Sequence, residues 1–140
     1  MIIRCILDVY KRQAVGYSAG GETMSQAVSS RPDLYTAYLH CASQWDGTYE
    51  EVAENNVAVY IFTVENDEYY GSKKARDAYN ALYDAYLNAG LKENQIEDRL
   101  KLEIPDNRYF NSHGIYHYHG GANILFQDEQ ILNWITEKRK

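Results

Sequence analysis

The chain has 140 residues, with 20 acidic against 14 basic side chains and a formal charge of −6, a length that fits one ordinary domain. Hydrophobic residues make up 45% and charged residues 24%, with only 2 prolines and 9 glycines, which excludes the disordered, collagen-like and low-complexity classes. The basic cluster Lys138-Arg139-Lys140 is terminal and isolated, so no footprint for a phosphate backbone exists and nucleic acid is not an expected partner.

Residues 1–7 are apolar but broken by Arg4, and they lack both a full hydrophobic region and a small-residue cleavage site, unlike a secretory signal. The stretch that follows, Asp8-Val9-Tyr10-Lys11-Arg12-Gln13, resembles the one-frame translation of a transposase adaptor used in sequencing libraries. Residues 1–13 are therefore read as a non-native extension, with the native chain starting near Ala14. Cys5 and Cys41 are too few for a disulfide framework and lack metal-ligand spacing. The longest clean apolar run, Val57-Ala58-Val59-Tyr60-Ile61-Phe62, is far short of the roughly 20 residues that span a membrane.

From Ala14 onward the chain alternates strand and helix signals, the pattern of a mostly parallel sheet flanked by helices. Ala14-Val15-Gly16 reads as the end of a strand, and Gly20-Gly21 opens a helix through Met24, Ala27 and Val28 that Arg31-Pro32 stops. A β-favouring run over 35–41 leads into a polar loop with Trp45-Asp46-Gly47, and 56–64 is the clearest buried strand. Ala75, Ala78, Tyr79, Leu82, Tyr83 and Tyr86 repeat at helical spacing after Gly71-Ser72, and Gly90 ends that helix. A polar connection over 91–98 with room for a short helix precedes a strand at 100–104, stopped by Pro105. A His- and Gly-rich loop follows. Asp128 then caps a last helix whose face carries Ile131, Leu132, Trp134 and Ile135.

Gly16-Tyr17-Ser18-Ala19-Gly20 is a G-x-S-x-G pentapeptide placed where a strand ends and a helix starts. A sharp turn there forces the serine into a strained backbone conformation, and small residues two before and two after it let neighbouring backbone pass. The helix that follows aims its free N–H groups at the place where an oxyanion forms in acyl transfer, with the N–H of Ala19 as one donor. A serine hydroxyl is a weak nucleophile and needs a base, which needs an orienting carboxylate. The strand at 56–64 runs into Glu65-Asn66-Asp67-Glu68, placing Asp67 49 residues after Ser18, and His119 lies a further 52 residues on, in a loop that also holds His113 and His117.

The segment from Ala14 to Lys140 resembles the C-terminal half of an α/β-hydrolase, and within that superfamily it is similar to bacterial prolyl-oligopeptidase-family serine hydrolases and polyhydroxybutyrate-depolymerase-like esterases. The resemblance rests on Gly16-Tyr17-Ser18-Ala19-Gly20-Gly21, Ser43-Gln44-Trp45-Asp46-Gly47, Glu65-Asn66-Asp67-Glu68-Tyr69-Tyr70-Gly71-Ser72, Tyr109-Phe110 and His119-Gly120-Gly121. It implies Ser18 as nucleophile, Asp67 as orienting acid and His119 as general base, with no metal or organic cofactor and a small ester or short peptide as substrate. The fold expected is a partial α/β-hydrolase whose earlier strands are missing, together with the loop that gives the second oxyanion donor. Losing one such donor costs about 2.7–4 kcal/mol of transition-state stabilisation. An unpaired sheet edge also invites self-association. The competing expectations are an oligopeptidase or aminopeptidase of the same superfamily, and an inactive fragment or binding module.

Each residue has a plainer alternative. Ser18 can be a helix cap. Glu65 or Glu68 can replace Asp67, and a cluster of three acids can be solvated surface; the pair Asp67 and Glu68 beside Asp46 forms an unconvincing metal set. His117 can replace His119, whereas His113 reads as a loop hydrogen-bonder, and His40 and Cys41 as buried structural residues. Fourteen tyrosines against three phenylalanines point to a wet aromatic surface or site. Tyr17, Trp45 and Tyr70 are candidate substrate contacts, with packing the alternative for Trp45 and Tyr70, while Tyr79, Tyr83 and Tyr86 read as helix–sheet packing.

Overall fold

A computed structural model describes residues 12–140. Four parallel strands, β1 (Gln13–Tyr17), β2 (Ala37–Cys41), β3 (Ala58–Phe62) and β4 (Leu100–Glu103), lie side by side in sequence order. The helices between them are α1 (Ala19–Ser30), α2 (Glu50–Glu54), α3 (Lys73–Asn88) and α4 (Glu93–Arg99), and α5 (Asn107–Ser112), α6 (Tyr118–Gly121) and α7 (Glu129–Glu137) follow β4. The fold is α/β, as the alternating pattern predicts. Gln13 is the first residue of β1, although the adaptor resemblance places it in the extension; residues 1–11 of that extension, with Cys5, lie outside the described residues.

Side chains that alternate along the strands divide the core in two. On one face Tyr38, Val59 and Ile61 pack with Val28, Val52, Ala75, Leu82, Tyr86 and Ile96, so α1 to α4 cover that side. On the other, Leu39, Cys41, Ala58 and Phe62 pack with Phe110, Leu125, Ile131 and Ile135 from the segment after β4. Both faces of β2 are therefore buried along its whole length, which is why it reads as a continuous run rather than an alternation. The tyrosines of α3 pack as expected: Tyr86 is fully buried with its hydroxyl donating to the Val57 carbonyl, and Tyr79 and Tyr83 lie against the same core.

Several elements differ in extent or number from those the sequence pattern predicts. β3 starts later than residue 56 because Asn56 adopts a left-handed φ of 58° that turns the chain out of α2, and α2, five residues long, is too short to show a helical period. The His- and Gly-rich region contains α5, α6 and a 3-10 turn at Ala122–Gln127. Asp128 does cap α7, accepting from the N–H groups of Gln130 and Ile131. Leu132 is nonetheless an exposed hydrophobic, and the buried face of α7 is Ile131 and Ile135. Among the described residues no helix is long and apolar enough to cross a membrane.

The register brings the strand ends level. Tyr17 pairs with Cys41, Cys41 with Phe62, and Phe62 with Glu103. One further row of bonds extends the ladder, from Ser18 N–H to the Cys41 carbonyl, Ala42 N–H to Phe62 and Thr63 N–H to Glu103. The segments that leave the four strands therefore depart from one edge, where a parallel sheet gathers its site.

Candidate active site

Ser18 occupies the turn between β1 and α1 with φ 55° and ψ −128°, a conformation that costs a non-glycine residue of order 1–3 kcal/mol and persists only when its surroundings enforce it. Here the Ser18 N–H is fixed to Cys41, while its carbonyl accepts from Gly21 N–H at 2.8 Å and from the Ser43 hydroxyl at 2.6 Å. A Cβ on Gly16 would stand 2.7 Å from the Gly21 Cα, and one on Gly21 would stand 2.5 Å from the Ser43 Cβ. The close approach thus falls on Gly16 and Gly21. Gly20, expected to supply it, faces open space. Ala19 begins α1 and is exposed, and its N–H belongs to the first turn, whose donors have no partner inside the helix.

Ser18 Oγ lies 2.9 Å from His119 Nε2, and His119 Nδ1 lies 2.7 Å from Asp67 Oδ2. The Asp67 side chain is fully buried and that of His119 is 9% exposed. The other oxygen of Asp67 accepts from the N–H groups of Tyr69 and Tyr70 at 2.9 and 2.7 Å, so the turn after β3 holds the carboxylate by its own backbone. An imidazole with its proton on Nδ1 would donate to Asp67 and present its Nε2 lone pair to the Ser18 hydroxyl.

The alternatives for base and acid lie elsewhere. His117 is exposed at the start of α6, its Nδ1 accepting from Gly120 N–H at 3.1 Å, and His113 bonds the Tyr109 carbonyl. Glu65 pairs with Arg76 at 2.8 Å on the surface. Glu68 has a different position: its two oxygens accept from Tyr118 N–H at 2.9 Å and His119 N–H at 2.7 Å. Burial works against its ionised form, but those two backbone donors prevail and hold the carboxyl below its ordinary value. Among the described residues no group of three or more His, Cys, Asp or Glu side chains is gathered around a metal-sized space.

Three tyrosines surround the His119 ring. Tyr17 stacks on it at 5.6 Å and donates its hydroxyl to the His119 carbonyl, Tyr69 meets it edge-on at 4.6 Å, and Tyr70 lies tilted at 5.6 Å. Burial, then the nearby Cys41, Asp67 and Glu68, pushes the Tyr17 hydroxyl up to about 12, so it stays a donor. The Tyr70 hydroxyl donates to Glu22 at 2.8 Å. Burial first and Glu22 second raise its pKa. Tyr69 is 72% exposed and so presents an apolar face at the mouth of the site. Trp45 sits apart: its ring contacts Tyr38, His40 and Tyr49. Its loop is tied to α1, with Asp46 N–H donating to Ser25 and the Ser29 hydroxyl to Thr48.

Beneath the turn, His40 and Cys41 are buried. His40 Nδ1 lies 2.7 Å from the Tyr38 hydroxyl, which donates to the Gly21 carbonyl, while Nε2 finds no well-formed hydrogen bond among the described residues. Burial brings its pKa down to about 4, the Ser43 backbone offsetting only part. Burial and then Asp67 push the Cys41 thiol up, away from the thiolate that reactive cysteines need. Ser43 and Glu68 escaped the sequence reading as supports. Each is an ordinary polar residue whose partner lies 25 or about 50 positions away, and no local pattern encodes such a pairing.

No protein-family model and no curated protein matches the chain. Its fold is similar to that of a solved structure described as a thermostable esterase, with a TM-score of 0.74 and 17% identity over 95% of this chain. The chain spans about a third of that protein, 32% of its length. Four parallel strands, flanking helices and this structural likeness together give the molecule an α/β-hydrolase-like fold.

Proposed function

We propose that this chain carries the catalytic centre of a serine hydrolase acting on carboxylic esters through an acyl-enzyme on Ser18. The observation that carries the reading is the continuous chain Ser18 Oγ to His119 Nε2 at 2.9 Å and His119 Nδ1 to Asp67 Oδ2 at 2.7 Å, set on a left-handed serine at a strand-to-helix turn. In this reading His119 takes the serine proton as Oγ attacks the ester carbonyl, and later returns it to the departing alcohol. Asp67 keeps the imidazole in the required tautomer and stabilises its charged form. The Ala19 N–H is the donor this chain offers the tetrahedral oxyanion. The likeness to a thermostable esterase favours an ester over an amide.

Covalent labelling tests this without requiring turnover. A fluorophosphonate should modify the chain at Ser18, and Ser18→Ala should abolish the label. An unlabelled but folded chain, or a label that survives Ser18→Ala, would overturn the reading. Release of p-nitrophenol from short acyl esters, with aminoacyl-anilides left intact, separates the esterase from a peptidase.

A further inference from the structure

His119 is only weakly anchored by its own segment, where the Ala122 N–H divides itself between the His119 and Tyr118 carbonyls. α6 has four residues, Tyr118–Gly121, and ends in two glycines; a helix so short has no stability of its own in water. The imidazole must nevertheless stay within hydrogen-bond reach of Ser18 on one side and Asp67 on the other.

We propose that Glu68 and Tyr17 form a backbone clamp that positions His119. Glu68 accepts from the His119 N–H and from the Tyr118 N–H before it, and the Tyr17 hydroxyl donates to the His119 carbonyl. Both main-chain polar groups of the base are thereby held by side chains from elements far away in sequence. Each half of the clamp adjoins a residue of the reacting chain. Glu68 follows Asp67, so one turn grips His119 twice, at ring Nδ1 through Asp67 and at the backbone N–H through Glu68, each at 2.7 Å. Tyr17 precedes Ser18, so the strand that presents the hydroxyl also fixes the carbonyl end of the base. Asp67 sets the rotation of the ring, and the clamp sets the position of the Cα from which the ring projects.

Neither residue touches the reacting atoms; each acts through His119. Glu68 stays ionised because two N–H dipoles converge on it, which outweighs its desolvation. Replacing it with Gln keeps one acceptor oxygen but turns an NH2 group toward the second N–H, so one of the two bonds is lost. Tyr17→Phe keeps the ring stacked on the imidazole and removes only the hydroxyl.

The rate half of the test rests on the serine hydrolase reading, whereas the spectroscopic half does not. Glu68→Ala, Glu68→Gln and Tyr17→Phe would be made in the full chain and checked for folding by circular dichroism and denaturation midpoint. Two quantities are then read: the fluorophosphonate labelling rate at Ser18, and the strongly deshielded proton resonance of His119 Nδ1–H against Asp67. Displacing the base should slow labelling on the order of 10- to 100-fold and broaden or abolish the resonance, with Glu68→Gln falling between Glu68→Ala and the unaltered chain. A role in stability alone would lower the denaturation midpoint and leave both readouts untouched in the folded variants, which overturns the clamp. If Glu68→Ala does not fold, Glu68→Gln and Tyr17→Phe decide the question by the same criteria. If the unaltered chain is not labelled, the hydrolase reading fails and the resonance alone judges the clamp.

Discussion

The site joins two regions built on different physics. Residues 13–103 hold a parallel sheet whose ladder hydrogen bonds and two buried faces place Ser18 directly after β1 and Asp67 in the turn that follows β3. The segment 104–128, which carries His119, has only short helical pieces after β4. Its order comes from side chains that satisfy main-chain groups: Asp106 caps α5, His117 caps α6, Glu68 holds the start of α6, and Asp128 starts α7. Phe110 and Leu125 add apolar anchors against the sheet. A repeating ladder locates a residue through many weak, redundant bonds. A set of caps locates one through few bonds, each of them individually important.

Asp67 is where the two regions meet, and changing it should have the largest effect. Asp67→Asn leaves an oxygen for the Tyr69 and Tyr70 N–H groups, so the turn after β3 should persist, but the imidazole loses the partner that fixes its tautomer. Labelling of Ser18 should slow about 10⁴-fold with little change in unfolding midpoint. Unchanged labelling would mean that the acid-to-base bond is not what links the regions.

A smaller effect probes the sheet side alone. His40 is buried neutral, its pKa down to about 4 from an ordinary 6.5. Between those values the unfolded chain binds more protons, so stability is full above pH 6.5 and is lost as the pH falls toward 4, by about 3 kcal/mol in all. Urea denaturation at a series of pH values should show this slope, and His40→Gln, which does not titrate, should flatten it. An unaltered slope in His40→Gln would assign the acid sensitivity to other groups.

The smallest expected effects separate caps from ladder. Asp106→Ala and Asp128→Ala should each cost about 1 kcal/mol, measured as a shift in denaturation midpoint. Hydrogen exchange should speed up first in 104–137, while amides of β2 and β3 keep their protection. Loss of protection in β2 to the same degree would show that the two regions unfold as one unit and that the contrast between them has no energetic meaning.

The sheet side was the more legible in sequence for a related reason. Buried strands and the α3 helix announce themselves by local periodicity, and the strained turn at Ser18 by glycines around a serine, because those demands act on neighbouring residues. The short helices α5 and α6 after β4 give no such signal, since six residues or fewer leave no periodic signature. The role of Gly21 rather than Gly20 was also hidden, because it depends on where the Ser43 side chain arrives from β2. Trp45 offered no local clue to whether it faces substrate or packs, and its neighbours Tyr38 and His40 come from the adjacent strand.

By itself the sequence determined the α/β alternation, the turn that strains Ser18 and the three residue types that a relay from hydroxyl to imidazole to carboxylate requires. Local sequence left Glu65, Glu68 and His117 open beside the Asp67 and His119 that the resemblance implies, and tertiary structure decided which of them meet, because hydrogen bonds between residues about 50 and 100 positions apart depend on strand register and on which backbone groups remain for side chains to satisfy. His119 rather than His117 faces Ser18 because Glu68, Tyr17 and Asp67 converge on it from the sheet side. That convergence is a property of the level strand ends, which no stretch of neighbouring residues encodes.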